Sequence, residues 1–371
     1  MSIKPNQPTW PVWLPLRDEL RTLTPYGAPQ IHDVVQLNSN ENPFKLPDEV
    51  QAAIVKEIKE VAASLNRYPD RDAVRLRSKL AQYVNSASNT EFSVENIWAA
   101  NGSNEILQTL FLACGGSKRS ALGFTPSYSV HPLIAKITGT QWIEGKRSST
   151  FGIDIQLATA QILAEKPSLI FVTTPNNPSG TSTPLSDLEL LADAASKVGA
   201  LLVVDEAYAE FSSEQSAATL IAKFPHVVSS RTMSKAFAFA GVRVGYLIAH
   251  PSVIDAALVT RLPYHLSALT QSAAEVAVDH ANLMQSGIQE LLSGRELLVR
   301  GIELVGWKAL DSSANFILFS GFTRSSNEIW QEFLNRGILI RDVGLAGYLR
   351  VSVGTKAENQ RFLTALQEIA Q

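Results

Sequence analysis

The amino-acid sequence predicts an α/β fold: a large domain with a mostly parallel central sheet wrapped by helices, plus a smaller α+β domain. Three observations favour this fold. Short apolar runs bounded by turn residues alternate with stretches of helical apolar spacing. No run approaches the roughly 20 apolar residues that a membrane span requires. The length of 371 residues suits two domains, since one domain usually takes about 100–200 residues.

The elements of the large domain follow from apolar spacing and turn residues. Residues 1–40 are expected to form an extended arm with one short helix near 16–23. Apolar residues at Val50, Ile54 and Ile58 predict a helix over 48–65, and the same spacing predicts another over 72–84. Strand-sized apolar runs follow at 97–100, 120–124, 140–143, 168–173, 200–205, 226–231 and 244–249.

The remaining chain predicts the smaller domain. A long helical stretch is expected from 269 to 305, with Gly287 and Gly294 as its weak points. Strands are expected at 315–319, 338–340 and 348–353, and a closing helix over 357–369. The predicted organisation is therefore an arm and part of the small domain in 1–40, the large domain in 41–265 and the small C-terminal domain in 266–371.

The composition narrows the class of protein. The chain has 32 Lys and Arg against 35 Asp and Glu, which argues against nucleic acid or an anionic membrane as a partner. One cysteine, Cys114, excludes an internal disulfide framework and a multi-cysteine metal site. Because no histidines pair at ligand spacing, no metal is expected. A reducing, cytoplasmic setting fits this cysteine usage.

The segment LLVVDEAYAEF places a carboxylate at the end of a predicted buried strand. Asp205 is costly there unless it has a partner. Two interpretations remain open. Asp205 caps a following helix, or it pairs with a protonated ring nitrogen while Tyr208 donates to a nearby ring oxygen.

The segment SRTMSKAFAFAGVRVGY places Lys235 in a loop of small residues after a strand. Most lysines are solvated surface residues. Here, however, Thr232, Ser234 and Arg243 form a set suited to phosphate, and a desolvated lysine near cations becomes a nucleophile. These neighbouring residues favour a catalytic role for Lys235.

Two further loops carry polar groups that suit a ligand. Asn177 lies in TTPNNPSG, a segment rich in residues that form turns. Either the segment is only a turn, or the turn directs the Asn177 amide at a ligand. Ser103 and Asn104 in NGSNEIL open a helix whose free N–H groups bind phosphate, unless Ser103 is an ordinary N-cap. A lysine, an aspartate, a phosphate site and ring-oxygen donors together match the demands of pyridoxal 5′-phosphate.

Nine motifs carry a resemblance to a known family. TTPNNPSG, VVDEAYAEF and SRTMSKAFAFAGVRVGY, in this order and spacing, resemble the fold-type-I aminotransferases, which use pyridoxal 5′-phosphate. LNSNENPF, NRYPD, NGSNEIL, TPSYSVH, RLPYHLS and IRDVG…YLRVSVGT narrow the resemblance to the histidinol-phosphate aminotransferase family. The resemblance spans residues 26–355 and implies amino transfer between L-histidinol phosphate and 2-oxoglutarate, in histidine biosynthesis.

The resemblance also implies a role for each cofactor-site residue. Lys235 would form the Schiff base and move the proton between substrate and cofactor, and Asp205 would pair with the pyridinium nitrogen. The ring oxygen would bind Asn177 and Tyr208, and Tyr128, unless it is only core packing, would stack on the ring. The phosphate would be held by Ser103, Asn104, Thr232, Ser234, Arg243 and, from the neighbouring subunit of a homodimer, Tyr68.

The implied substrate site uses the tail and the arm. Arg350, in an apolar strand, needs an anion, which the resemblance makes the carboxylate of glutamate or 2-oxoglutarate. Arg341 would join it in holding the histidinol phosphate group, unless it forms a surface pair with Asp342 or with a nearby acid. Tyr26 and Tyr264 would line the substrate, Tyr264 from across the dimer. Asn40 and the Asn104 side chain, which replaces an Asp common in the family, are candidates near the imidazole.

Three other functions are compatible with parts of the sequence. An aromatic amino-acid aminotransferase keeps the fold and cofactor, and the tyrosine-rich pocket alone fits it equally well. An O-phosphothreonine decarboxylase shares the scaffold, but the full RLPYHLS and IRDVG segments argue against it. A regulator that merely binds the cofactor would need an added DNA-binding segment, for which the chain has neither spare length nor basic charge.

Overall fold

The computed structural model of this protein describes residues 10–371, apart from the side chains of residues 284–286. Residues 1–9 of the predicted arm lie outside the described residues. The strands in chain order are β1 (Val35–Gln36), β2 (Ile97–Ala100), β3 (Ser120–Thr125), β4 (Gln141–Lys146), β5 (Leu169–Thr173), β6 (Leu201–Asp205), β7 (Val227–Thr232), β8 (Gly245–Ile248), β9 (Lys308–Ala309), β10 (Phe316–Ser320), β11 (Ile338–Leu339) and β12 (Tyr348–Ser352).

The helices surround these strands. In chain order they are α1 (Asp18–Arg21), α2 (Asp48–Ala62), α3 (Val74–Ser88), α4 (Ser103–Cys114), α5 (Val130–Thr138), α6 (Ile155–Glu165), α7 (Leu185–Val198), α8 (Pro251–Thr260), α9 (Ala268–Asp279), α10 (Ala281–Leu304), α11 (Ser326–Asn335) and α12 (Lys356–Ala370). Within residues 10–371, no helix is both long and apolar enough to cross a membrane.

A seven-stranded sheet forms the centre of the large part of the molecule. Its strand order is β2-β8-β7-β6-β5-β3-β4. The strands from β7 to β4 pair in parallel, and β8 is antiparallel to both of its neighbours, β7 and β2. All strands except β8 therefore run in one direction, so that their carboxyl ends meet at one edge, where α/β sheets place their ligands.

Continuous apolar strands explain why both faces of this sheet are covered. Successive side chains of a strand point to opposite faces. Ile170 and Val172 of β5 pack into one core cluster, whereas Leu169 and Phe171 pack into the other. Every residue of β5 is buried. A parallel sheet with helices on both faces requires this pattern.

A second, smaller assembly joins the two ends of the chain. Strands β12, β10 and β9 form an antiparallel sheet, and β1 from the arm pairs in parallel with β11. The helix α10 packs on β10 and α12. The arm also contacts α5. The Thr22 hydroxyl accepts from Lys136 at 3.1 Å, and Arg17 donates to the Ile137 carbonyl.

The structure confirms the predicted fold class and corrects one element. The helical stretch expected over 269–305 is divided at His280 (φ −109°, ψ 23°) into α9 and α10, and not at the glycines. Gly287 and Gly294 lie inside α10 instead. A Cβ on Gly294 would come within 2.8 Å of Val353. This glycine therefore allows close packing of α10 on the segment around Val353.

Candidate active site

A cavity of about 440 Å³ opens at the carboxyl edge of the large sheet. Segments from the arm, the strand ends and the C-terminal part of the chain all line it. The cavity contains every predicted site residue except Tyr68 and Tyr264. The predicted residues that line it are Tyr26, Asn40, Ser103, Asn104, Tyr128, Asn177, Asp205, Tyr208, Thr232, Ser234, Lys235, Arg243, Arg341 and Arg350.

Lys235 lies in the loop after β7, and its amine is held by the arm. Its Nζ donates to the Ser39 carbonyl at 2.9 Å. Removal of the ammonium from bulk water and the charge of Arg350 lower the pKa of Lys235 to about 8. Glu41, also in the cavity, opposes this shift. The amine is therefore closer to its neutral, nucleophilic form than an exposed lysine is.

Asp205 ends β6, and its carboxylate is buried. The Oδ2 atom lies 3.2 Å from His131 Nε2. Because a carboxylate only accepts, this ring nitrogen carries the hydrogen. The other oxygen, Oδ1, is buried with no partner among the described residues. A buried carboxylate oxygen without a donor fits a ligand that supplies an N–H or a positive charge at that point.

Aromatic rings form the wall beside Asp205. Tyr128, in the loop after β3, lies edge-on to His131 with ring centroids 5.5 Å apart, and His131 stacks on Phe171 at 5.0 Å. The Tyr128 hydroxyl donates to Asn104 Oδ1 at 3.2 Å. Burial raises the pKa of the Tyr128 hydroxyl, so this group stays protonated and remains a donor. A flat ring bound over Asp205 would therefore lie in a cavity that Tyr128 also lines.

The start of α4 and the loop after β7 form an anion cradle. Gly102, with φ +78°, precedes the first helical residue Ser103, and a Cβ on Gly102 would lie 2.5 Å from an Arg243 nitrogen. Arg243 Nη1 donates to the Ser234 hydroxyl at 3.2 Å, and the Thr232 hydroxyl donates to Ser234 at 3.0 Å. Hydroxyls, a guanidinium and a helix N-terminus together suit a phosphate group.

Tyr208 is held by residues from both ends of the chain. Its hydroxyl accepts from Asn40 Nδ2 at 2.9 Å, and Asn40 Oδ1 accepts from the Ser352 hydroxyl at 2.9 Å. Burial raises the pKa of Tyr208. Both ends of the Asn40 amide are used in these bonds, and its contact with substrate stays a prediction.

Arg341 and Arg350 lie side by side, and neither forms an ion pair among the described residues. Their backbones exchange two hydrogen bonds of 2.9 Å. Arg350 donates to Asn177 Oδ1 and, at 2.8 Å, to the Asn38 carbonyl, while its buried Nε has no partner. Burial and the charge of Arg341 lower the pKa of Arg350 to about 10, and Tyr208 opposes this shift. The alternative pair of Arg341 with Asp342 does not form, since Asp342 Oδ1 accepts from the Gly344 amide.

The two remaining predicted residues lie together outside the cavity. Tyr68 and Tyr264 stack with ring centroids 4.4 Å apart. Both rings are open to solvent, Tyr68 at 79% and Tyr264 at 42% exposure. Their predicted contact with a neighbouring subunit's site stays a prediction.

Sequence reasoning missed three residues of this site. For His131, as for the other histidines, the sequence predicts only a structural or surface role. No signal in the sequence separates His131 from an ordinary buried residue of α5. Glu41 lines the cavity beside Lys235. Ser127 bridges the loops after β3 and β5, since its hydroxyl contacts Thr173 Oγ1 at 3.0 Å and Asn176 Oδ1 at 2.8 Å.

Residues 32–366 match the family Aminotransferase class I and II. The chain belongs to this family. It is also similar to the histidinol-phosphate aminotransferase of Mycobacterium sp. strain KMS, with 51% identity over 96% of this chain and 94% of the relative. The histidinol-phosphate aminotransferase of Mycolicibacterium smegmatis is 51% identical over the same shares of the two chains.

Solved structures share the fold at lower identity. The histidinol-phosphate aminotransferase from Clostridium acetobutylicum has a TM-score of 0.82 at 22% identity, covering 91% of this chain and 99% of that one. That from Sinorhizobium meliloti, in complex with pyridoxal 5′-phosphate, has a TM-score of 0.81 at 22% identity, covering 91% and 90%.

Family membership confirms the predicted enzyme class, an aminotransferase that uses pyridoxal 5′-phosphate. The residues of the cavity fit this cofactor. The unpartnered Asp205 Oδ1 suits a protonated pyridine nitrogen, and the cradle at Gly102 and Arg243 suits the phosphate. The Lys235 amine, whose pKa is lowered, suits bond formation with the aldehyde carbon of the cofactor.

Proposed function

We propose that this protein transfers an amino group between L-histidinol phosphate and 2-oxoglutarate, with glutamate as the donor in the biosynthesis of histidine. The observation that carries the substrate is the pair Arg341 and Arg350. They are neighbouring cations in one cavity, and neither has an acidic partner within the part of the chain that the structure describes. A phosphate or carboxylate bound there would satisfy them, because arginine presents a fork of donors to such groups. The relatives at about half identity are named for this substrate.

The cofactor site would be divided among the residues of the cavity. Pyridoxal 5′-phosphate, when bound, supplies an electron-withdrawing ring that stabilises negative charge at the carbon next to the amino nitrogen. Asp205, oriented by His131, would keep the ring nitrogen protonated. Tyr128 would cover one face of the ring. Asn177 and Tyr208 would hold the ring oxygen.

The phosphate group of the cofactor would bind where the cradle already gathers its donors. Ser234, which accepts from both Arg243 and Thr232, lies at its centre. The backbone N–H groups of Ser103 and Asn104, at the start of α4, would donate from the other side. The dianion would thus be bound by oriented groups and not by the net charge of the protein.

Lys235 would carry the proton in the reaction. Its amine lies in the cavity with a pKa lowered to about 8, and the Ser39 carbonyl fixes its position. A neutral amine can accept the proton from the substrate carbon and would deliver it to the cofactor carbon on the other side of the nitrogen. Arg350 would orient the substrate by its carboxylate during the glutamate half of the cycle.

The proposal includes a homodimer with shared active sites and a cytoplasmic location. Two solvent-exposed tyrosines, Tyr68 and Tyr264, stack on one another outside the cavity of their own chain, which fits residues that act in a neighbouring subunit. The single cysteine, Cys114, fits a reducing compartment.

A comparison of substrates tests the proposed function. The values of kcat/KM for histidinol phosphate, phenylalanine and O-phosphothreonine are measured side by side with 2-oxoglutarate. Histidinol phosphate is expected to lead. A wide margin for phenylalanine would replace the proposal with an aromatic aminotransferase, and release of carbon dioxide from O-phosphothreonine would replace it with a decarboxylase.

Arg341→Ala tests the assignment of the phosphate contact. We expect this substitution to weaken the binding of histidinol phosphate far more than the binding of glutamate, because only histidinol phosphate carries a phosphate group. Arg300→Ala, on the exposed face of α10, is the matched control and should change neither. Equal losses for both substrates would assign Arg341 to another role. Lys235→Ala should abolish turnover while the protein remains folded.

A further inference from the structure

Arg147 is a buried cation that the reaction described above does not use. Its side chain is 9% exposed, and it forms no ion pair among the described residues. The guanidinium instead donates to the carbonyls of Phe124 (3.2 Å), Phe151 (2.9 Å) and Thr173 (3.2 Å). Burial lowers its pKa to about 10. A buried charge with only neutral partners is costly, so its place in the structure calls for a reason.

The position of the three carbonyls supplies that reason. Strands β3 and β5 are hydrogen-bonded neighbours from Ala121↔Leu169 to Gly123↔Phe171, and the pairing stops there. Phe124 lies one residue and Thr173 two residues beyond the last pair, toward the cavity. Arg147, directly after β4, therefore bonds both strands where their own ladder has ended.

Each of these two strands continues into a loop of the active site. The loop after β3 carries Tyr128, and the loop after β5 carries Asn177. The loops contact one another through Ser127 and Asn176, whose Nδ2 also donates to the Pro126 carbonyl at 3.1 Å. These contacts join the tips of the loops, while Arg147 joins their bases.

The third carbonyl extends the same contact to the C-terminal part of the chain. Phe151 lies in the left-handed region (φ +64°), and its carbonyl also accepts from Thr181 Oγ1 at 3.3 Å. The Phe151 ring meets Tyr348, the first residue of β12, edge-on at 5.5 Å. That strand carries Arg350.

We propose that Arg147 is a positioning residue, which sets the separation of the Tyr128 and Asn177 loops by binding the diverging ends of β3 and β5. This inference rests on the proposed function, in which Tyr128 covers the cofactor ring and Asn177 holds its oxygen. Arg147 contacts neither cofactor nor substrate. It acts through the two loops.

The test compares holoenzyme variants at Arg147 with a matched control at Arg77. Arg77 is likewise buried, at 7% exposure, and donates to the carbonyls of Ile97, Asp72 and Val94. Ile97 begins β2, so this arginine sits at the opposite edge of the sheet from the cavity. Arg147→Met and Arg77→Met both remove a buried arginine that binds three carbonyls.

Four quantities are measured: the pyridoxal 5′-phosphate dissociation constant, the pH at which the visible absorbance of the bound cofactor changes, kcat with KM, and the temperature of unfolding. Arg147→Met is expected to weaken the cofactor about tenfold or more, to move the absorbance pH and to lower kcat about 10- to 100-fold, since small misplacements carry such losses. Arg77→Met is expected to unfold at a similarly lower temperature, with cofactor affinity and kcat within about twofold of the original protein.

The inference is overturned if Arg147→Met binds the cofactor, titrates and turns over like Arg77→Met, because its role is then stability alone. Arg147→Lys provides the second variant if the methionine form does not fold. The three carbonyls bind three separate nitrogens of Arg147, whereas the donors of a lysine all lie on one nitrogen. Arg147→Lys should therefore show the same changes at smaller size, and unchanged values would equally reject the proposal. Failure of the proposed function is read separately, on the original protein, as absence of cofactor binding or of amino transfer.

Discussion

Replacing Gly102 by alanine is expected to weaken cofactor binding by moving one arginine. Gly102 has φ +78° and ψ 168°, and an added Cβ would lie 2.5 Å from an Arg243 nitrogen. Arg243 is a flexible side chain, so it would yield and leave the cradle. Loss of one charged hydrogen bond to the phosphate costs about 1.5–3 kcal/mol, which corresponds to roughly a 10- to 150-fold weaker affinity.

The same substitution also strains the backbone, and a control separates the two effects. The φ and ψ of Gly102 lie in a region that is nearly exclusive to glycine, where another residue costs about 1–3 kcal/mol. Gly199, the C-cap of α7, also has a positive φ of +70°, but a Cβ there would meet nothing within 4 Å. Gly199→Ala should therefore lower stability alone, by about 1–2 kcal/mol.

The assay is a titration of each cofactor-free protein with pyridoxal 5′-phosphate, followed by absorbance, together with urea unfolding of the same samples. Gly102→Ala should lose both stability and affinity, and Gly199→Ala stability only. Wild-type affinity in Gly102→Ala would refute the reasoning, because Arg243 could then hold the phosphate from a displaced position or does not hold it at all.

Three further predictions concern Lys235, Asp205 and His131. Because the pKa of Lys235 is lowered to about 8, its amine loses its proton as the pH rises through that value. The rate at which Lys235 takes up the cofactor should therefore increase about tenfold between about pH 7 and pH 9. An increase confined to higher pH, near the ordinary pKa of lysine, would contradict the shift. Asp205→Asn should lower kcat on the order of a hundredfold or more, since removal of one partner of a buried charge pair costs about 3–5 kcal/mol. His131→Phe keeps the ring and removes the 3.2 Å contact to Asp205; kcat should fall by less, about 10- to 100-fold, and a loss equal to that of Asp205→Asn would show that the histidine does more than orient the carboxylate.

The strand ends and the residues that follow them could be predicted from the sequence. The apolar run that ends in Asp205 is the strand β6, and the carboxyl ends of neighbouring strands must meet at one edge. Asn177 and Lys235 were therefore expected near Asp205, and the structure brings the three into one cavity. Local pattern and the geometry of the sheet were enough for this part.

Other features depend on contacts between distant segments and could not be predicted in this way. His131 lies in α5, where its spacing is that of an ordinary buried residue, and only the packing of α5 on the sheet brings it to Asp205. The break at His280 has no glycine or proline to mark it. Arg147 resembles any basic residue after a strand until the divergence of β3 and β5 is known.

The hydrogen bonds between Asn40 and Ser352 make the site depend on both ends of the chain. These residues are 312 positions apart, and together they support Tyr208 from the middle of the chain. A chain that ends before β12 can neither close this contact nor place Arg350. A ligand specific for the folded state at a hundred times its dissociation constant adds about 2.7 kcal/mol of stability. Because Asn40 and Ser352 support Tyr208, a chain shortened before β12 is expected to gain less than this from the cofactor.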